Sequence, residues 1–129
     1  MTPQEIFNTV ATHLFTQGEQ AKGLDENGYD TCVYRSPEGK KCAVGCLIPD
    51  ELYRDDMEGC SASIISDDEY GLPEWFGANY ALLSSLRSLH DFDENWESEA
   101  TLKTRLRYVA EDHKLNPEVL DSLSFPEKP

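Results

Sequence analysis

Four cysteines have the most versatile chemistry in this sequence, because a thiol can bind a metal or act as a nucleophile. They are separated by ten, four and fourteen positions along the chain: Cys32, Cys42, Cys46 and Cys60. A structural zinc site needs four Cys or His ligands, commonly from two close pairs, and only Cys42 and Cys46 form such a pair. The three residues between them are apolar, which is typical of small thiols buried in a core.

We therefore predict reduced thiols with a structural role, and no cofactor, metal or disulfide. If zinc were bound, Cys32, Cys42 and Cys46 would be the preferred ligands, with Cys60 or His90 as the fourth. A zinc-stabilised module stays open as an alternative.

A histidine followed by an aspartate, His90-Asp91, could orient a base for Cys42 or Cys46. The sequence has no Gly-x-Ser-x-Gly elbow and no tight glycine-rich turn that would present either thiol. His90 follows leucines at helical spacing, so we expect it at a helix end, where the helix dipole favours the imidazolium. We predict no catalytic residues, and a cysteine-dependent enzyme is a further alternative.

A few basic residues could bind a phosphate group. Lys103 and Arg107 lie one helical turn apart, Lys114 shares their face if the helix continues that far, and Arg35 completes the candidate set. Neither a Walker A sequence nor a Rossmann fingerprint accompanies them. Pairing with carboxylates of the same chain is the favoured explanation of these residues, so binding or sequestering of a nucleotide signal by Arg35, Lys103 and Arg107 is the alternative hypothesis.

Acids dominate the charge of the chain. Its 25 Asp and Glu against 11 Lys and Arg give a formal net charge of −14, and nine of the acids lie within residues 50–74. Such a charge disfavours nucleic acids and anionic membranes and speeds association with basic protein surfaces. We predict a non-enzymatic interaction protein whose partner has a basic face. The candidate contact residues are Asp55, Asp56, Asp67, Asp68, Trp75 and Phe76, although both rings could equally fill the core.

Length and composition indicate one folded domain over residues 1–129. Hydrophobic residues make up 39% and charged residues 28% of the chain, a mixture normal for globular domains. The longest apolar run covers residues 42–48, far short of the roughly 20 residues of a membrane helix. The first 18 residues lack the basic and apolar regions of a signal peptide. We therefore expect a soluble protein of the cytoplasm.

Helices dominate the predicted elements. Thr2-Pro3-Gln4-Glu5 has the pattern of a capping box with proline at the first helical position. Apolar residues then recur at helical spacing: Ile6, Phe7, Val10, Ala11, Leu14 and Phe15. Further helices are predicted from Asn79 to His90 and from about Trp96 to His113.

Two strands are predicted at residues 32–35 and 41–47, joined by the turn Ser36-Pro37-Glu38-Gly39. The predicted fold class is therefore α+β: a mainly helical single domain with a small antiparallel β-hairpin.

Residues 41–53 contain the motif K-C-A-V-G-C-L-I-P-D-E-x-Y. It resembles a family of small, uncharacterised proteins of tailed phages and bacteria, whose chains begin with an amphipathic helix and carry a leucine-rich helix that ends in His-Asp, here His90-Asp91. The resemblance spans residues 1–115. It implies a phage or bacterial origin and, for a phage protein, an accessory or counter-defence role in the host cytoplasm. It assigns no activity and no functional residue.

Overall fold

The computed structural model describes residues 1–66 and 70–126, apart from the side chain of Ser63. It has the predicted fold class, a mainly helical domain with a small two-stranded antiparallel sheet. The helices are α1 (Pro3–Gln17), α2 (Ala62–Ile65), α3 (Glu74–Ala78), α4 (Tyr80–Asp91) and α5 (Glu99–Asp112), and the strands are β1 (Lys22–Leu24) and β2 (Asp30–Cys32). Short 3₁₀ helices cover Gly45–Leu47, Asp55–Met57, Asp93–Trp96 and Glu118–Ser122.

Helix α1 begins with the predicted capping box. The Thr2 hydroxyl accepts the Glu5 N–H at 3.2 Å, and a Glu5 carboxylate oxygen accepts the Thr2 N–H at 2.9 Å. These two bonds satisfy donors that a helix N-terminus otherwise leaves free. All six residues of the predicted apolar stripe are buried, and the helix ends at Gly18, whose φ of 74° suits glycine.

The β-hairpin lies earlier in the chain than predicted. Strand β1 pairs with β2 in the register Lys22↔Cys32, Gly23↔Thr31 and Leu24↔Asp30. Asp25 closes the turn between them, because its Oδ1 accepts the N–H groups of Asn27 and Tyr29 at 2.9 and 3.0 Å. An aspartate that bonds the backbone two residues ahead is a common turn former.

The strands predicted at residues 32–35 and 41–47 are wrong as a hairpin, since only one bridge, Arg35 to Lys41, joins those segments. Residues 42–47 instead coil, with the Cys46 N–H donating to the Cys42 carbonyl at 3.1 Å. Their apolar side chains are buried by a compact turn, a solution that an apolar run permits as readily as a strand.

Helices α4 and α5 pack against each other, and α4 also packs against α1 and α2. Ser85 of α4 and His113 after α5 are joined by a 3.1 Å hydrogen bond. Helix α5 ends at Asp112, and Lys114 has a φ of 57°. Lys114 would share the helical face of Lys103 and Arg107 only if the helix continued that far. It does not, so Lys114 lies off that face. No helix in the described ranges is long and apolar enough to cross a membrane.

The C-terminal segment covers the junction of α1 and α5. The Phe125 ring lies 5.2 Å from the Phe15 ring and 6.2 Å from the Trp96 ring, centroid to centroid. The Phe125 N–H donates to the Glu99 carboxylate at 2.6 Å. These contacts cover the part of the core beside α1 and the start of α5. The β1–β2 hairpin takes no part in them.

Candidate functional site

A cleft of about 420 Å³ lies between the β1–β2 hairpin and residues 55–59. Four carboxylates and one guanidinium line it: Asp25, Glu26, Asp55, Glu58 and Arg87. A neighbouring cleft of about 360 Å³ shares Asp55 and Glu58 with it. We call the larger one the acidic cleft.

Glu58 organises the wall shared by the two clefts. Its Oε1 accepts the Tyr34 N–H at 2.8 Å, and its Oε2 accepts the Arg35 N–H at 3.2 Å and the Tyr53 hydroxyl at 2.6 Å. Burial and the Glu58 carboxylate raise the pKa of Tyr53, so Tyr53 remains a hydrogen-bond donor. Three donors hold Glu58 in place, and its role is to fix the backbone beside the cleft.

Arg87 reaches the cleft from α4 and connects neighbouring segments of the chain by hydrogen bonds. Its Nη1 donates to the Tyr34 hydroxyl at 2.8 Å and to the Cys60 carbonyl at 2.7 Å. Its guanidinium carbon lies 4.6 Å from the Tyr34 ring centroid, and its Nε lies 3.8 Å from the Asp91 carboxylate. Arg87 is thus committed to neighbours of its own chain, and Asp91 partly balances its charge.

The remaining carboxylates of the acidic cleft are less committed. Asp25 uses one oxygen for the hairpin turn. Within residues 1–66 and 70–126, Glu26 and Asp55 form no ion pair. Since four carboxylates face one guanidinium, the cleft carries a formal charge of −3. It therefore attracts cations and repels phosphates.

Two exposed apolar side chains flank the hairpin turn. Leu24, at the end of β1, and Tyr29, just before β2, are each 70% exposed. Of these two, Leu24 lines both clefts. An exposed apolar group in a cleft lined by carboxylates is suited to the aliphatic stem and charged head of a lysine or arginine side chain.

The predicted partner-contact residues lie in different environments. Asp55 lines the acidic cleft, and Asp56 pairs with Arg54 at 2.8 Å. Asp67 and Asp68 lie outside the described residues. Phe76 is 0% exposed, so its assignment as a partner contact is wrong: its ring belongs to the core.

Trp75 is half-buried and packs against that core, with its ring centroid 5.6 Å from that of Phe76. Both rings sit in α3, next to the start of α4. Of this aromatic pair, only Trp75 keeps exposed surface.

The basic residues predicted to bind a nucleotide each have local partners. Arg35 pairs with Asp50 at 2.7 Å and donates to the Ile48 carbonyl. The Lys103 ammonium lies 5.8 Å from the Phe15 ring centroid, and Arg107 pairs with Asp121 at 3.6 Å. The cleft that Arg35 lines includes neither Lys103 nor Arg107. The Arg35 and Arg107 contacts match the pairing with carboxylates of the same chain that the sequence left open, whereas the neighbour of Lys103 is an aromatic ring.

Burial makes the thiols of Cys32, Cys42 and Cys46 weak nucleophiles. It raises the pKa of Cys42 and of Cys46 to about 12, and that of Cys32 to about 11. The Cys42 sulfur accepts the Gly45 N–H at 3.2 Å, and the Cys46 thiol donates to the Ala43 carbonyl at 3.2 Å. Since the thiolate is the reactive form and the metal ligand, these thiols are suited to packing.

The zinc ligands suggested by the sequence are not brought together. In the described part of the chain, the group with ligand-like spacing is Cys32, His90 and Asp91, whose ligand atoms lie within 4.8 Å of one another. Cys42 and Cys46 are not members of this group. The set Cys32, Cys42 and Cys46 is therefore wrong, because β2 and the turn at residues 42–46 direct these thiols to different neighbours.

His90 holds the hairpin to α4. Its ring is 0% exposed, Nε2 accepts the Ala21 N–H at 3.0 Å, and Nδ1 lies 2.8 Å from an Asp91 carboxylate oxygen. An acceptor at Nε2 requires the proton on Nδ1, so the ring is the neutral Nδ1–H tautomer. The expected imidazolium is wrong, and neither nitrogen is free to activate Cys32 or to bind a metal.

Sequence reasoning did not single out Leu24, Glu26 or Tyr29. Their signal was the turn sequence Asp25-Glu26-Asn27-Gly28, since an aspartate three residues before a glycine between short apolar stretches is typical of a hairpin. It also missed Arg87, for which the sequence carries no signal beyond a cation on a helix.

Comparison with protein-family models, curated proteins and solved structures finds no match to this chain. The site described above therefore rests on the chain's own geometry and charge.

Proposed function

We propose that this chain is a non-enzymatic interaction protein that binds a basic surface of a partner protein through the acidic cleft. The observation that carries the proposal is the formal charge of −3 in a cleft of about 420 Å³ that exposed Leu24 also lines. A lysine or arginine side chain would place its charge near Glu26 and Asp55 and its stem against the apolar rim.

The charge of the whole molecule supports the same function. A formal net charge of −14 attracts a basic partner over a Debye length of about 8 to 10 Å at physiological salt. Long-range attraction orients the partner, and the cleft provides the local contact. If the chain comes from a phage, as its motif resemblance implies, the partner is a host protein and the role is that of an accessory or counter-defence factor.

A lysine-containing peptide without strand preference tests this proposal. We suggest an acetylated eight-residue Gly-Lys repeat, because glycine disfavours strands and leaves charge as the main determinant of binding. Nuclear magnetic resonance titration of the labelled protein at low salt gives the affinity and the residues affected. We expect the largest shift changes at residues 24–33 and 55–59.

The double variant Glu26→Gln and Asp55→Asn removes two cleft charges with little change of shape. Its matched control is Glu111→Gln with Asp112→Asn, which removes the same charge from exposed positions of α5. We expect at least a five-fold loss of affinity for the cleft variant and less than two-fold for the control. Equal losses in the two variants would show that only net charge matters and would refute the cleft as the site.

A further inference from the structure

The hairpin has one edge that faces the acidic cleft. Interstrand bonds occur at Val33, whose N–H donates to the Ala21 carbonyl at 3.0 Å, and at Tyr29, whose carbonyl accepts the Asp25 N–H at 2.9 Å. Bonded and non-bonded positions alternate in an antiparallel pair. Odd-numbered residues of this segment therefore bond β1, and the backbone groups of residues 30 and 32 point away from it.

Those outward groups are unpaired. In the described part of the chain, the N–H and C=O groups of Asp30 and Cys32 have no hydrogen-bond partner. The next outward position, Tyr34, does have one, since its N–H donates to Glu58 at 2.8 Å. The Glu58 carboxylate thus takes the place of a neighbouring strand at Tyr34, and the edge before it is open.

The strand that carries this open edge lines the acidic cleft. Thr31, Cys32 and Val33 line the cleft together with Asp55 and Gly59. An extended chain lying there can exchange backbone hydrogen bonds with β2 while its side chains meet the carboxylates. Because alternate side chains of a strand share a face, basic residues at every second position would all lie on one side.

We infer that the partner of the proposed function binds by adding a short, extended, basic strand to the edge of β2. The inference rests on the proposed function and specifies how that cleft is used. Backbone bonds to Asp30 and Cys32 supply affinity, and the unpaired carboxylates of Glu26 and Asp55 select lysine or arginine, as in other strand-addition sites. β2 has three residues, so the paired segment spans about 10 Å.

A second copy of this chain fits the edge poorly. In parallel pairing of β2 with β2, the acidic turns and the Asp30 side chains of two copies would lie together, and like charges on neighbouring strands are destabilising. Antiparallel pairing would place the two turns at opposite ends, so the charge of the edge strand itself is what opposes it. Charged residues on a short edge strand oppose self-association. The edge therefore accepts a basic strand and rejects its own.

Two peptides of equal charge test the inference. The first is acetylated Lys-Val-Lys-Val-Lys-Val amide, and the second is the same peptide with a methyl group on every backbone nitrogen, which keeps its charges and removes its donors. We expect the methylated peptide to bind at least ten-fold more weakly. Amide hydrogen exchange of Asp30 and Cys32 should slow on binding the first peptide, whereas Thr31, which already faces β1, should change little.

Four results would overturn the inference. Equal affinity of the two peptides, or unchanged exchange at Asp30 and Cys32, would show that the cleft binds charge without adding a strand; the acidic cleft would then still stand through the Gly-Lys peptide. If the Gly-Lys peptide binds and the Lys-Val peptide does not, the strand-addition inference is wrong, and the acidic cleft still stands as the binding site. A dimer of the protein with these two amides already protected would assign the edge to self-association.

Discussion

At Gly45 a hydrogen atom in place of a side chain determines the path of the chain. A Cβ there would overlap the Tyr34 carbonyl oxygen and lie 2.7 Å from the Tyr34 carbonyl carbon. That carbonyl also accepts the Cys42 N–H at 3.0 Å, so it cannot move without breaking a bond. The glycine of the C-A-V-G-C sequence is thus required for the close approach of the turn to residue 34.

We expect Gly45→Ala to lower the free energy of unfolding by about 3 kcal/mol or more, the upper range for overpacking. Urea unfolding followed by circular dichroism measures it. Gly77→Ala is the control, since its Cβ would meet the Ser66 Cβ at an ordinary 3.4 Å and alanine favours a helix. A Gly45→Ala variant as stable as the control would contradict the close contact.

His13 couples stability to pH at the residue scale. Its Nε2 lies 2.8 Å from the Lys41 carbonyl oxygen and donates to it. Burial, the main cause, lowers the pKa of His13 from its ordinary 6.5, although that carbonyl acts in the opposite direction. The unfolded chain therefore takes up this proton first, so the contribution of His13 is present above pH 6.5 and is lost as the pH falls below it.

We expect the free energy of unfolding to fall more steeply between pH 7.5 and pH 5.5 in the natural protein than in His13→Gln. Glutamine keeps a donor for the Lys41 carbonyl and cannot titrate. Urea unfolding at each pH measures the difference, with pH 8 as the reference at which both side chains are neutral. Parallel pH profiles would show that His13 titrates alike in the folded and unfolded chain.

At the scale of elements, the end of α4 positions the hairpin that carries the cleft. His90 accepts the Ala21 N–H, Gln20 donates to Asp93 at 3.0 Å, and Lys22 pairs with Asp93 at 3.3 Å. The buried histidine bond is the strongest of these constraints, because exposed ion pairs contribute little. The hairpin is thus anchored at the start of β1 and free at its turn.

Replacing His90 by Phe should preserve the packing and leave the Ala21 N–H buried without an acceptor, which costs about 1–3 kcal/mol. We expect faster amide exchange at residues 21–33 than at α1, together with weaker binding of the Gly-Lys peptide. Ser88→Ala, an exposed change on the same helix, is the control. Uniform acceleration over the whole chain would indicate global destabilisation and would contradict a specific anchor.

At the scale of the whole molecule, the excess of acids governs how fast a basic partner arrives. The Debye length falls from about 10 Å at 0.1 M salt to 3 Å at 1 M, which removes long-range attraction and leaves contact interactions. Electrostatic steering therefore acts mainly on the association rate, whereas buried contacts set dissociation.

We expect the association rate of the Lys-Val peptide, measured by stopped-flow fluorescence, to fall at least ten-fold between 0.1 and 1 M salt. The dissociation rate should change by less than three-fold. Reversing exposed acids remote from the cleft, Glu111→Lys with Asp112→Lys, should slow association and leave dissociation unchanged. An association rate indifferent to salt would contradict steering by the net charge.

Local chemistry was readable from the sequence alone. The capping box of Thr2 and Glu5 and the buried stripe of α1 follow from contacts between residues three or four positions apart, and they were predicted correctly. So was the α+β class: its helices follow from the period of the apolar residues, whereas its hairpin lies outside the segments predicted to form it. The net charge that underlies the proposed function needs no structure at all.

Contacts between distant segments were decided only in the tertiary structure. Phe76 lies in the core because other segments cover it, and the His90 tautomer depends on Ala21, 69 residues away. The hairpin lies at residues 22–32, and not where it was predicted, because Asp25 closes a turn there. The close approach of Gly45 to the Tyr34 carbonyl makes residues 42–47 coil. The acidic cleft exists because residues 24–33 and 55–59 meet, a juxtaposition that spacing along the chain does not encode.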